Sequence, residues 1–417
     1  MNSDLNKNIY KLYILFISLL PVFLITGPFL PDFVISFVAL YVIIYSLKKN
    51  NNLNIKKIII ENKIIKFLLL FWIYITICSL WSENIFYSLK SSFFYFRFIF
   101  FSIFLYFLFT HYSNFIKYFF YASSFALIFL IFDSFVQYFF DYDIFLNPKP
   151  KNRLTATFGD EQVVGSFIAK FTPFYIGLAV LFKKNIKNYL IMTLIILCCL
   201  ITFLSGERTA TFYVITSSLV IMSLLFINQK KIILYFVLIM VLIISTVVIF
   251  DKNIKKRHSS AIDTIFNTKN NKLTLFSEAH EYHYLSAYKI FLDNKIIGVG
   301  PKMYRFKCKD DKYYENHMSC TTHPHNVLLQ ILSETGIIGF LFYLTAIYYC
   351  ISSFFKNYIN YFKNKNKIIF FKICLLMSIL QYLSFLLPSG NIFNNWLLAN
   401  LFIPLSFFIY FNFQEKK

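Results

Sequence analysis

The sequence predicts an all-α polytopic membrane protein, and three observations lead there. First, 58% of its 417 residues are hydrophobic and 21% are aromatic, more apolar surface than a soluble chain of this length can bury. Second, the apolar residues gather into runs of about spanning length. Third, the net charge of +21 comes largely from lysines in short loops between those runs. That is where a membrane protein carries its cations, and it argues against a nucleic-acid partner.

The runs lie near 11–29, 31–47, 67–82, 93–110, 116–140, 164–182, 187–204, 209–227, 232–250, 327–355, 368–388 and 396–412, about twelve transmembrane helices. The first is read as a span rather than a signal peptide, because no small-residue cleavage site follows it and the other runs do. Lys48, Lys49, Lys56, Lys57, Lys63 and Lys66 separate spans two and three. Lys183, Lys184 and Lys187 separate six and seven, Lys230 and Lys231 eight and nine, and Lys356, Lys363, Lys365 and Lys367 ten and eleven. All these loops fall on one side, which the charge rule makes cytoplasmic, with both termini. The other side, the periplasm in a bacterium, receives 83–92, 141–163, 205–208, 251–326 and 389–395. The loop 251–326 is itself basic, but loops beyond about 60 residues escape the rule. With no repeat or flexible linker in view, residues 1–417 read as a single membrane domain with the extracytoplasmic loop 251–326 inserted between helices nine and ten.

The residues able to do chemistry cluster on the extracytoplasmic side. In Asn152-Arg153-Leu154-Thr155-Ala156-Thr157-Phe158-Gly159-Asp160-Glu161-Gln162, an arginine precedes a carboxylate pair. The plain reading has Asp160 capping the sixth span. Ser205-Gly206-Glu207-Arg208 places Arg208 at the start of the eighth span. An ionisable residue at a membrane boundary is a functional candidate, and a guanidinium where lysine is otherwise the rule suits bidentate phosphate binding; the alternatives are snorkelling or a pair with Glu207. In the long loop, 284–292 has the spacing of an amphipathic helix. The turn Gly298-Val299-Gly300-Pro301 follows, carrying Lys302 and Arg305; it reads either as a phosphate cradle or as a simple turn. Of the seven cysteines, Cys308 and Cys320 share this loop on the oxidising side, which predicts a disulfide. A metal reading with His317, His323 and His325 finds no zinc spacing.

The stretch His323-Pro324-His325-Asn326 joins the long polar loop to the tenth span. With Thr322 as cap, His325 falls in the first helical turn, where the positive helix end keeps its imidazole neutral and able to accept a proton. Asn326 can orient a ligand or a neighbouring side chain. Glu334, inside the span, is expected to pair with a loop group or to cap a re-entrant feature. Gly336 and Gly339 are expected to let a neighbouring helix approach. The plain reading of 388–396 is a turn with an interfacial tryptophan, Trp396.

Taken in order, the Arg153 loop, Ser205-Gly206-Glu207-Arg208, Gly298-Val299-Gly300-Pro301, and His325-Asn326 with Gly336 and Gly339 resemble the O-antigen ligase-related family of bacterial membrane glycosyltransferases. The resemblance implies a metal-independent, GT-C-like membrane fold without a cofactor. It also implies transfer of a glycan from an undecaprenyl-diphosphate donor to a lipid A-core sugar hydroxyl at the periplasmic face of the inner membrane. The partners are then that donor, a glycan or lipid A-core acceptor and membrane lipids. Carried over, His325 and Arg208 are catalytic, with Arg208, Arg153, Arg305 and Lys302 binding the diphosphate and Asn326, His323, His280 and Glu161 in support. One position departs from the family pattern: where an arginine usually opens the loop helix stands His280, with His283 close by, so either a histidine takes that role or Arg305 or Lys302 does. An O-antigen or exopolysaccharide polymerase of the same superfamily is the alternative. A transporter or flippase fits less well, because the charges gather at one face rather than at midplane.

The topology is open to direct test. A reporter fused near Asn271 is expected to be active only as a periplasmic fusion, and cytoplasmic activity there overturns the assignment of the chemically equipped side.

Overall fold

The computed structural model describes residues 2–47, 55–112, 114–150, 153–182, 188–266 and 276–414. Lys48, Lys49, Asn152, Lys183, Lys184, Lys187 and the stretch around Asn271 lie outside the described residues. In chain order the α-helices are α1 Asn2–Ser18, α2 Leu20–Ile25, α3 Phe29–Ser46, α4 Ile55–Glu61, α5 Lys63–Leu80, α6 Ile85–Ser92, α7 Phe96–His111, α8 Phe115–Phe140, α9 Val164–Phe182, α10 Asn188–Leu204, α11 Arg208–Leu225, α12 Lys230–Phe250, α13 Lys252–Phe266, α14 Glu278–Asp293, α15 Tyr304–Lys307, α16 Val327–Asn364, α17 Lys367–Leu383 and α18 Asn395–Gln414. There is no strand among the described residues, only a bridge between Tyr142 and Pro148.

The chain is therefore all-helical and carries the spans of a polytopic membrane protein. Nine helical stretches among the described residues are long and apolar enough to cross a membrane. The other three expected spans are helical but shorter: the first is divided at Leu19 into α1 and α2, and α10 and α17 have 17 residues each. Pro21 explains the division, since proline is tolerated in the first turn of a helix and disrupts its interior.

Contacts divide the chain into two compact units. The first comprises Met1–Val34, Leu108–Ile262 and Ser353–Gln381, and the second Ile35–Phe107, Asp263–Ser352 and Tyr382–Lys417. In the first unit α9 is the most deeply packed helix, buried on nearly every side among α8, α10, α11 and α17. Gly177 makes that approach possible: a Cβ there would stand 2.7 Å from Cys374 and from the Phe371 ring of α17.

Buried polar side chains of this unit fasten its irregular segments to the helices. Asp133 of α8 accepts the Ile144 amide at 2.8 Å, and Gln137, one turn on, accepts those of Thr155 and Ala156 at 2.7 and 2.8 Å. Backbone N–H groups outside a helix need such partners wherever water is excluded, so the 144–156 segment is held by residues of a spanning helix.

In the second unit the 294–308 segment folds against a break in α16. Gly336 has φ 64° and ψ −166°, conformations that interrupt the helix and that only glycine adopts readily. Across the break the backbone pairs with the turn: Val299 N–H donates to Ser333 O, Gly300 N–H to Glu334 O, and Ile337 N–H to Lys295 O, at 2.8–3.0 Å. This corrects the helix-approach reading of Gly336, because a Cβ there would collide with the Ile296 carbonyl. Gly339 does face another helix, the Tyr74 ring of α5 lying 3.3 Å from where its Cβ would be. Ala287, Ile290, Val299, Met303, Tyr304 and Cys308 form a small apolar core for the polar loop. A Cys308–Cys320 disulfide closes it.

Gly336→Ala therefore forces both a strained φ and a backbone overlap. It is expected to cost on the order of 1–3 kcal/mol or more, read as a lowered unfolding temperature in detergent. Wild-type stability in this variant would remove the break from the account.

Candidate functional site

The Ser205-Gly206-Glu207-Arg208 segment is built residue by residue as a junction between α10 and α11. Ser205 turns its hydroxyl back to the Thr202 carbonyl at 2.7 Å, ending α10. Gly206 takes φ +70°, and a side chain there would strike the Arg257 guanidinium. Glu207 sends its carboxylate to the start of α9, where Oε1 accepts the Gly165 amide at 2.7 Å and Oε2 the Ser166 amide at 3.0 Å. Gly165 is required for this, since a Cβ would fall 2.9 Å from Glu207 Oε1. The carboxylate at the start of α9 is thus Glu207 and not Asp160, which is exposed, as is Glu161. Glu207 is spent on those amides, and its pairing with Arg208 is not the arrangement seen.

Cations collect around this junction. Arg208 is the first residue of α11, at a helix end whose dipole disfavours positive charge. Arg153 donates through its terminal nitrogen to Gln162, while its Nε is buried without a hydrogen-bond partner. Arg257 of α13 donates from Nε to the Gly206 carbonyl at 3.0 Å. Lys170 lies within electrostatic reach of Glu207. Burial pulls Arg153 below its ordinary pKa, with Glu207 opposing and Arg208 adding to the shift. Burial, then Arg153 and Arg208, brings Arg257 down to about 10, which leaves it charged at neutral pH. Beside Arg257, the His258 ring stacks on Phe203 at 4.3 Å, and burial lowers its pKa.

The second unit gathers the histidines. The His325 ring centroid lies 4.1 Å from that of His323, 5.4 Å from His283 and 5.6 Å from His280. The helix begins at Val327 and its cap is Asn326, whose Oδ1 accepts the Leu329 amide at 3.2 Å. Thr322 is therefore not the cap, and His325 precedes the helix, at φ 54°. The 385–389 segment brackets this stretch: Phe385 O accepts from Asn326 Nδ2 at 2.9 Å, Ser389 N–H donates to His325 O at 2.8 Å, and Ser389 O lies 3.2 Å from His323 Nε2. Asn391 extends it, its Oδ1 accepting from Gln330 at 2.8 Å. Ser277 caps α14, its hydroxyl accepting the His280 amide at 3.3 Å and lying 2.6 Å from His280 Nδ1.

Burial first, then the neighbouring imidazoles, brings His325 down to about 3. Burial, opposed by its bond to Ser389 and aided by Arg305 and the other histidines, brings His323 down to about 4. His325 is thus neutral, but by desolvation and crowding rather than by a helix end. Arg305 packs over the Tyr87 ring and donates to its hydroxyl at 2.8 Å. Lys302 follows the Gly-Pro turn at φ 62°. The turn itself is no phosphate cradle here, because its Val299 and Gly300 amides are bonded to α16. Glu334 accepts the Tyr304 amide at 3.1 Å and the Gln330 side chain at 3.0 Å, so it fastens loop to helix.

The structure thus brings Arg153 and Arg208 together in the first unit, and His280, His323, His325 and Asn326 together in the second, where Arg305 and Lys302 also lie. Sequence reasoning passed over Lys170, Arg257, His283's burial and the 385–391 bracket. Arg257 carried the same signal as Arg208: the chain has five arginines among 41 basic residues. It was hidden in a lysine-rich run.

Fold and site together define a multi-pass helical membrane protein with a group of arginines at a helix junction and a neutral histidine cluster beside a broken helix. Comparison points the same way: residues 193–344, a segment that contains both Arg208 and His325, match the O-Antigen ligase family model, which supports an O-antigen ligase-related family. The match supports glycosyltransferase-like ligase or polymerase chemistry in general. No curated protein matches the chain.

The depressed imidazoles set a pH dependence. Above about 6.5, the ordinary histidine value, folded and unfolded chains are both neutral at these positions. Below it the unfolded chain takes up protons that His323 and His325 refuse until about 4 and about 3, so stability falls as pH drops from 6.5 towards 4. The pair is expected to contribute on the order of 1–3 kcal/mol to this slope. Unfolding of wild type and His323→Gln across the window checks it; identical slopes would refute the assignment.

Proposed function

We propose that this protein transfers a glycan from an undecaprenyl-diphosphate donor to a lipid A-core sugar hydroxyl at the periplasmic face of the bacterial inner membrane. The observation that carries the reading is the excess of positive charge around Arg153 and Arg208, whose one buried carboxylate, Glu207, is engaged by two backbone amides. Such a site favours an anion with several oxygens, and a guanidinium meets a phosphate through two parallel bonds.

In this reading the acceptor hydroxyl oxygen attacks the anomeric carbon of the donor sugar and the bond from that carbon to the phosphate oxygen breaks. Undecaprenyl diphosphate leaves with the electron pair. Arg208, with Arg153, stabilises the charge that grows on it. His325 takes the hydroxyl proton on its neutral imidazole. Burial and the neighbouring imidazoles keep that ring neutral and so able to accept a proton. His280 and His323 orient and crowd His325, while Asn326 holds the backbone that presents it. Arg305 and Lys302 belong with the histidines, so the diphosphate reading rests chiefly on Arg153 and Arg208. Glu161, exposed at the lip of the Arg153 segment, is given a supporting role only. A polymerase of the superfamily differs in its acceptor, a second lipid-linked glycan.

The test uses purified protein with a lipid-diphosphate glycan and either acceptor. Arg208→Ala is expected to weaken donor binding, with Arg208→Lys rescuing poorly because an ammonium cannot bind in two-point fashion. His325→Ala is expected to lose about 10²–10⁴-fold in transfer with donor binding near normal. Full transfer by folded His325→Ala would defeat the base assignment, and transfer only to a lipid-linked glycan would replace ligase by polymerase.

A further inference from the structure

Tyr304 belongs to no motif that led to the histidine cluster, yet the segments that carry the cluster meet on it. Its side chain is wholly buried in the small core of the polar loop. Its amide is held by Glu334 of α16. Its hydroxyl donates to the Ser319 carbonyl at 2.8 Å and reaches the His283 carbonyl of α14 at 3.2 Å. One proton is thus shared between two carbonyls from separate segments of the chain.

Both carbonyls bear on the histidines. Ser319 closes a turn with its own side chain, which accepts the Glu315 and Asn316 amides at 2.9 and 3.0 Å. From Ser319 the chain runs through Cys320, bonded to Cys308, to His323 and His325. His283 supplies the imidazole whose centroid lies 5.4 Å from that of His325, and the backbone of Met318 is hydrogen-bonded to that ring. His283 is therefore joined to the 318–319 stretch twice, through its ring at Met318 and through its carbonyl at Tyr304. A phenylalanine fills nearly the same volume as Tyr304 but leaves both carbonyls without this donor in an apolar core. What the hydroxyl adds is a fixed spacing between the two segments.

We propose that Tyr304 is a positioning residue for the transfer step: its hydroxyl pins α14 to the 318–319 stretch and so fixes the His283 imidazole against that of His325. This rests on the reading of His325 as the base and adds to it the route by which the loop core sets the base's surroundings. Being wholly buried, Tyr304 acts through His283. The imidazoles that act on His325 are His323 of its own segment and His280 and His283 of α14, with Arg305 of α15 acting on His323.

The experiment uses full-length protein in nanodiscs, with a lipid-diphosphate glycan donor and a sugar acceptor. It measures kcat and both KM values for wild type, Tyr304→Phe, His283→Gln, their double variant, Tyr313→Phe and His325→Ala. Tyr313 is the matched control, because its hydroxyl leaves the same core for Asp293. Tyr304→Phe is expected to lower kcat about three- to tenfold, the scale of one buried hydrogen bond, with both KM values near wild type. His283→Gln should do the same, and the double variant should be no worse than His283→Gln, because one route is cut twice. In protein carrying isotope-labelled histidine, the His325 ring resonance is identified by its loss in His325→Ala. It should move in Tyr304→Phe and stay in place in Tyr313→Phe. Wild-type kcat in Tyr304→Phe, additive losses in the double variant, an unmoved resonance, or one that moves equally in Tyr313→Phe each overturn the inference. Should Tyr304→Phe fail to fold, His283→Gln carries the test, and wild-type kcat or an unmoved His325 resonance there is equally fatal. Full transfer by His325→Ala defeats the base reading and the inference with it, whereas loss in His325→Ala beside wild-type kcat in Tyr304→Phe defeats the inference alone.

Discussion

The bonds from the Glu207 carboxylate to the amides of Gly165 and Ser166 hold together the part of the first unit on which its chemistry depends. They tie the start of α9 to the junction of α10 and α11, and so fix Arg208 relative to α9. The same device recurs wherever irregular backbone meets a spanning helix. Asp133 and Gln137 fasten 144–156 to α8, Gln330 accepts the Ile392 amide, and Glu334 accepts that of Tyr304. The constraint behind it is that hydrocarbon offers no hydrogen bonds, so each non-helical N–H brought near it must find a partner in the protein. A short polar side chain on a helix is an inexpensive partner, because the helix has already satisfied its own backbone.

That solution constrains the charges. A carboxylate buried to cap amides is desolvated, and burial raises the pKa of Glu207, while the two amide bonds, Arg153 and Lys170 oppose the rise. The cations therefore help the cap stay ionised, and the cap in turn spreads its charge over two N–H groups instead of forming a tight pair with one guanidinium. Two requirements, a satisfied helix end and a concentration of positive charge around it, are met by the same residue. A hydrophobic replacement would relieve the repulsion but leave two orphan amides and detach α9 from the junction.

Much of this fold was legible in the sequence and the fastening was not. Each of the expected apolar runs is helical, because burying backbone in hydrocarbon leaves a helix as the natural way to satisfy it. Boundaries failed where local signals competed: Thr322 and Asp160 both precede helices and look like caps, yet Asn326 and Glu207 do the work. Asn326 was within reach of local reasoning. Glu207 was not, since it caps a helix that starts some forty residues earlier, and nothing in a linear pattern encodes that pairing. Gly336 was recognised as special for a reason that proved incomplete. Missing side chains serve close approach and unusual dihedrals alike, and only the folded backbone separates the two. Arg257 is hard to see in the sequence because it stands inside a lysine-rich run and not at a membrane boundary.

The two polar centres show one physical force producing opposite chemical states. Desolvation and like-charge repulsion act on the arginine group and on the histidine group with the same sign, each disfavouring the protonated form. An arginine begins so far above neutral pH that Arg257, brought down to about 10, remains a cation. An imidazole begins near 6.5, and the same forces leave His323 near 4 and His325 near 3, stripped of their protons. Burial beside like groups therefore yields a permanent positive centre in one unit and a set of neutral proton acceptors in the other. The choice of side chain alone decides which. A lysine in place of Arg257, with its lower starting pKa and readier response to burial, would sit between the two and serve neither purpose as well.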